Sequence, residues 1–166
     1  MSTLYVDTIT EKTAGNGVQI PGHVVQVVEG TAYSAEQSVA SSSYTAFSVT
    51  ASITPKFSNS KIYITCYGSC QVYESGAADA RGRLAISSDS GSSFILERDV
   101  RIYGYDGTGH VLIVPFSLHV FDTPGSTSTQ TYTLYGKNTS GDGIRINDDG
   151  LGAGNTTQIV LMEIAQ

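Results

Sequence analysis

The sequence predicts an all-β protein, an antiparallel β-sandwich or jelly roll. Three observations carry that prediction. Apolar residues alternate with polar ones over many short segments, turn residues cluster between those segments, and no stretch beyond one turn near Ala35-Glu36-Gln37 has helical spacing. Composition agrees. Of 166 residues only 14% are charged, while 39 are Ser or Thr, 18 Gly and 10 Tyr, a profile that lacks the Glu, Lys, Ala and Leu a coiled coil or helical bundle requires. The length suits one domain with a short appendage.

Residues 1–22 differ in kind from the rest. Leu4-Tyr5-Val6-Asp7-Thr8-Ile9 is a short extended stretch, Gly15-Asn16-Gly17 signals a turn, and Val18-Gln19-Ile20 leads to the break at Pro21-Gly22. This is too little apolar surface to fold alone, so the segment reads as an arm. Strand addition to another chain would bury Leu4, Val6, Ile9, Val18 and Ile20.

From residue 23 to 166 the chain reads as one globular head. His23 to Val28 is a β-branched run. Tyr44 to Ile53 places Phe47, Val49, Ala51 and Ile53 on one face, and Thr54-Pro55 ends it. After the turn Ser58-Asn59-Ser60, the strand from Lys61 sends Ile62, Ile64, Cys66, Gly68 and Cys70 one way and Tyr63, Thr65 and Tyr67 the other. Further strands read at 83–87, 94–98, 111–121, 129–137, 143–146 and 158–164, each bounded by a Gly, Asp or Pro cluster such as Asp106-Gly107 or Thr123-Pro124-Gly125. The run Gln158-Ile159-Val160-Leu161-Met162-Glu163-Ile164 is nearly continuously apolar, as expected of a strand buried on both faces, with a second subunit as the outer cover.

The charge balance, 9 basic against 15 acidic residues for a net of −6, includes no run of Lys and Arg, so nucleic acid is not expected as a partner. No segment approaches the ~18 consecutive apolar residues of a membrane helix, and membrane insertion is not expected. Cys66 and Cys70 lie four apart on one strand, about 13 Å at 3.3 Å per residue, too far for a disulfide. They read as small buried hydrophobes.

A search for chemistry finds none of the usual sets. The three histidines, His23, His110 and His119, stand in no nucleophile or metal-ligand pattern, and Gly150-Leu151-Gly152-Ala153-Gly154 lacks the strand and helix that a dinucleotide loop requires. His119 shares a strand face with Phe121 and reads as a polar-face or interface residue. Asp142, Asn147, Asp148 and Asp149, with Asp106 in another loop, are oxygen ligands in number, but their spacing fits no calcium loop and their dipeptides are ordinary turn vocabulary. No catalytic residue, cofactor or metal is assigned.

Two stretches resemble a known group of proteins. Leu4-Tyr5-Val6-Asp7-Thr8-Ile9 through Gly17-Val18-Gln19-Ile20-Pro21-Gly22-His23-Val24-Val25-Gln26 is similar to the N-terminal arm of short fibre and appendage proteins of tailed bacteriophages, especially those of marine and cyanobacterial hosts. Ala51-Ser52-Ile53-Thr54-Pro55-Lys56-Phe57-Ser58-Asn59-Ser60-Lys61-Ile62 looks like the strand-turn-strand of their globular heads. The resemblance implies a jelly-roll head like that of the tumour-necrosis-factor and C1q families, assembled as a homotrimer, with another virion protein holding residues 1–22. The residues themselves point the same way: charge is scarce, the last strand is apolar, and Tyr63, Tyr67 and Tyr132 are expected to face outward against identical subunits.

The function expected is therefore that of a virion protein, made in the bacterial cytoplasm, which is no enzyme and serves as a short tail fibre in contact with the host surface. A capsid head fibre or decoration protein needs the same arm and trimer, and a glycan depolymerase is the third reading. Contact with a host glycan or protein is expected at the loops distal to the arm, near 29–43, 74–80, 103–109 and 138–155. These carry Tyr73, Glu74, Asp79, Tyr103, Tyr105, Asp106, Asn138, Asp142, Asn147, Asp148 and Asp149, whose rings, amides and carboxylates suit sugar recognition.

Overall fold

A computed structural model describes residues 8–10, 17, 20–74, 79–103, 110–148 and 155–166. Among these, ten strands and no helix occur: β1 (Val24–Glu29), β2 (Gln37–Val39), β3 (Thr45–Ile53), β4 (Lys61–Glu74), β5 (Asp79–Ser87), β6 (Leu96–Tyr103), β7 (His110–Asp122), β8 (Gln130–Ser140), β9 (Gly143–Ile146) and β10 (Gln158–Ile164). They form two antiparallel sheets. One has the order β1-β10-β4-β9-β2 with β7 on the far edge of β4, and the other the order β3-β8-β5-β6. Chain connections that pass repeatedly from one sheet to the other give the sandwich a jelly-roll winding.

The longest strand organises the first sheet. Along one edge β4 pairs with β7 from Ile62 to Glu74, and along the other it meets β10 in its first half and β9 in its second. The predicted face of β3 is the one buried: Phe47, Val49, Ala51 and Ile53 all point inward. Ile62, Ile64, Cys66 and Cys70 face them from β4, joined by Leu84 and Ile86, Leu134, Ile144 and Ile146, and Ile159 and Leu161. Each fully buried Ile or Leu contributes roughly 1.5–3 kcal/mol. Both cysteines are free and buried, and desolvation raises their thiol pKa values, that of Cys70 to about 12.

Two expectations need correction. The predicted helical turn at 35–37 gives way to β2, whose Gln37–Val39 pairs with Ile144–Ile146, because Val39 completes the core and Gln37 ties to Ser48 through both its amide atoms. Tyr132 faces inward with no accessible surface, donating its hydroxyl to Asp122 Oδ2 at 2.8 Å, so it belongs to the core and not to a subunit contact. β10 has one face in the core and one turned outward: Ile159, Leu161 and Glu163 are buried, while Gln158, Val160, Met162 and Ile164 are partly open on the side where the sequence predicts a second subunit as cover.

The chain ends of the head lie together. The Gly22 amide donates to Ala165 O at 2.8 Å, and Ala165 donates back to His23 O at 3.0 Å. At the opposite end of the sandwich β4 hands over to β5, and β6 to β7.

Candidate functional site

The outward face of the first sheet is built by strand register. Val27 on β1 lies opposite Met162 on β10, Met162 opposite Tyr63 on β4, and Tyr63 opposite Phe121 on β7, which makes a row of four apolar side chains across four strands. Phe121 is 55% exposed and Val27 53%. The Tyr63 and Phe121 rings pack with centroids 4.8 Å apart, a tilted aromatic pair. The next row across the same strands is Glu29, Val160, Thr65 and His119.

His119 sits in a hydroxyl clamp. Tyr63 Oη lies 2.9 Å from its Nδ1, Ser117 Oγ lies 2.8 Å from its Nε2, and Thr65 Oγ1 is 3.4 Å from Nδ1. Hydroxyls donate and accept, so the clamp holds the ring in either tautomer. It fixes the imidazole flat beside Tyr63, with ring centroids 6.0 Å apart and planes 13° from parallel. Such an arrangement orders this part of the sheet surface.

Register also brings six of the predicted contact residues to the end opposite Gly22 and Ala165. Tyr73 and Glu74 close β4, Asp79 opens β5 directly across from Tyr103 at the end of β6, and Asn138 and Asp142 flank the turn into β9. The Asp142 amide donates to Tyr73 O at 2.9 Å, and Asn138 Nδ2 donates to Gly141 O at 2.6 Å. Tyr73 is half-buried under Arg145, whose guanidinium carbon stands 4.0 Å from the ring centroid, and Arg145 in turn pairs with Asp148 at 3.2 Å and Glu36 at 3.4 Å. Tyr105, Asp106 and Asp149 lie outside the described residues, as do Leu4, Val6 and Val18 of the arm; Ile9 and Ile20 are exposed.

Asn147 and Asp148 depart from expectation. Both are buried, at mid-height of the sheet and not at its distal end. Asn147 takes the left-handed conformation with φ of 56°, which Asn tolerates better than most residues. Its Nδ2 donates to Tyr33 O and Ala35 O, and its Oδ1 accepts the Thr157 hydroxyl at 2.8 Å. These two residues pin the chain where it leaves β9 and re-enters β10. Among the described residues no three His, Cys, Asp or Glu side chains are placed to hold a metal ion.

Sequence reasoning found His119 and Phe121 on a common face but missed Val27 and Met162 as their neighbours. Only the register connects residues so far apart in the chain.

No family model and no curated relative matches this chain. Among solved structures it is similar to the Eiger TNF of S. frugiperda, at 11% identity and a TM-score of 0.41, over 84% of this chain and 92% of that one. It is also similar to VP2 of infectious bursal disease virus. A D431N mutant in T=1 particles gives 15% identity and a TM-score of 0.33 over 84% of this chain and 36% of VP2, and a subviral particle gives 16% and 0.30 over 85% and 38%. The chain thus spans little more than a third of the VP2 chains. All of these likenesses are distant.

Proposed function

We propose that this chain is a non-enzymatic virion protein of a tailed bacteriophage: a short homotrimeric fibre whose arm, residues 1–22, is held by another virion protein and whose head touches the host surface. The observation that carries it is the row Val27, Met162, Tyr63 and Phe121, an apolar band on the outside of a sheet whose inside is already a complete core. Such a band on an isolated head is costly in water, and copies of the same chain cover it when they pack face to face. The arm and strand-turn-strand resemblances support the phage context and the number three. The arm's end of the head, where Gly22 meets Ala165, lies at the opposite end of the strands from Tyr73, Glu74, Asp79 and Tyr103, which supports a host contact at that far end.

Light scattering on the purified chain tests the assembly. A mass three times that of the chain is expected, and a monodisperse monomer at micromolar concentration overturns the reading. Particles assembled with a chain lacking residues 1–22 should lose the protein while the truncated head stays trimeric; incorporation of the truncated chain overturns the role of the arm.

A further inference from the structure

We infer that the open side of the sandwich, between the edge strands β6 and β7, binds a medium-chain aliphatic carboxylate whose tail enters the core and whose head meets Arg98. β6 ends the sheet β3-β8-β5-β6, and β7 ends the other sheet on the far side of β4. The two edges lie on the same side of the molecule, and a cleft of about 400 Å³ opens between them. Its floor is the core itself, at Cys70, Leu84 and Leu118, all buried. Half-buried Val100 forms one wall, and Val114 and Phe116 form the other. About a dozen heavy atoms at roughly 30 Å³ each fill such a volume, which lies within the roughly 300–1,000 Å³ usual for ligand clefts.

Arg98 breaks the pattern of its strand. Register sets it opposite Leu84, between Leu96 opposite Ile86 and Val100 opposite Gly82, so strand alternation turns it toward the core in a row that is otherwise apolar. It lines the cleft yet stays exposed, and its Nη1 donates to the Glu97 carbonyl at 2.9 Å, an acceptor without net charge. A long aliphatic stem beside apolar surface with a cationic head in water is how arginine divides itself between the two environments. A ligand divided the same way, apolar tail and anionic head, complements it along its length. The rim also carries Arg101 and Asp99, and Asp99 is bonded to Arg83, so the mouth is positive on balance.

Both lips disfavour a strand as the occupant. A charge at a core-facing position of an edge strand opposes pairing with a further chain. Pro115 on β7, opposite Ser69, has no N–H to offer one. The cleft is thereby kept for a small amphiphile and not for an extended peptide. An anion without a tail gains nothing from the floor, and a tail with a cationic head meets Arg98 as a like charge.

Titration calorimetry of the full chain with decanoate tests the site, with acetate and decyltrimethylammonium as comparisons. Decanoate should bind at one site per chain, acetate should give no heat, and the cation should bind about tenfold more weakly or less. Arg98→Gln should weaken decanoate by about tenfold with an unchanged melting temperature, and Arg98→Lys should lose less. Val100→Trp should fill the cleft and abolish binding. Silence from decanoate at millimolar concentration, equal binding of the cation, or full affinity in Arg98→Gln overturns the inference. Light scattering on Val100→Trp, with far-UV circular dichroism retained, tests the other occupant: an unchanged mass supports the ligand site, whereas a fall in mass shows a second copy seated in the cleft and overturns it. None of these readouts depends on the arm or on the host contact.

Discussion

Glu163 Oε1 accepts the backbone N–H of Lys56 at 2.8 Å from a position with no accessible surface. The same carboxylate takes the Phe57 amide at 3.1 Å and Gln26 Nε2 at 2.6 Å, so it ties the corner after β3 and the start of the head to the last strand. Burial alone would raise its pKa. The bonds from Lys56, Gln26 and Phe57 outweigh that effect and hold the carboxyl below its ordinary value of 4.5.

Glu163→Gln therefore removes a charge that three donors converge on and sets an amide N–H against a backbone N–H. A loss of about 1.5–3 kcal/mol is expected in urea unfolding at pH 7. Because the folded-state pKa is depressed, the stabilisation is fully present above the unfolded value near 4.5 and fades as pH falls through the lower folded value. The native protein should lose stability below about pH 4.5 by this route, and the Gln variant should lack that part of the decline. Equal slopes for both proteins across this window would contradict the assignment.

Glu163 was hidden in the sequence because it sits in a run that otherwise reads as apolar, while its partners lie 106 and 107 residues away. Where alternation was strict, as from Phe47 to Ile53, the buried face was legible in full. Where both faces carry an aromatic ring it was not: in β8, Tyr132 enters the core, while Tyr135 on the other face packs edge-on against Phe94 at 5.6 Å. The three residues of β2 are too few for any period. Strand direction brings the candidate contact residues that close or open strands to one end of the sheet, whereas Asn147 and Asp148 are buried midway because β9 ends halfway along β4.

Asn147→Ala should lower stability by about 2–3 kcal/mol, since it deletes three side-chain bonds and leaves a residue with Cβ at positive φ. Gly68→Ala should damage the same junction, because a Cβ there would stand 2.2 Å from Thr157 Oγ1, the donor to Asn147. Thermal melts of the two variants check this. A surface role for Asn147 would instead leave its melting temperature within a degree of the parent.

On the homotrimer proposed above, Phe121→Asp should leave monomers, observed as a threefold drop in mass by light scattering, with far-UV circular dichroism unchanged. Phe121 is 55% exposed on the single head, so the charge costs folding little and association much. An unaltered mass would show that this row is not the contact.

Cys66 and Cys70 should be silent toward an aromatic disulfide reagent at pH 8 in the native protein and react at once in strong denaturant. Both are buried, and desolvation disfavours the reactive thiolate. Rapid native-state labelling of either thiol would contradict their place in the core.

The placement of β10 between β1 and β4 sets a clock on biosynthesis. Until residues 158–164 leave the ribosome, β1 has no neighbour on that side and half of one edge of β4 stays open. At 5–20 residues per second, the wait between the first strand and its partner is on the order of ten seconds. During that time two unpaired edges are exposed to other nascent chains. A head built this way closes its first sheet only when residues 158–164 arrive to fill the gap between β1 and β4.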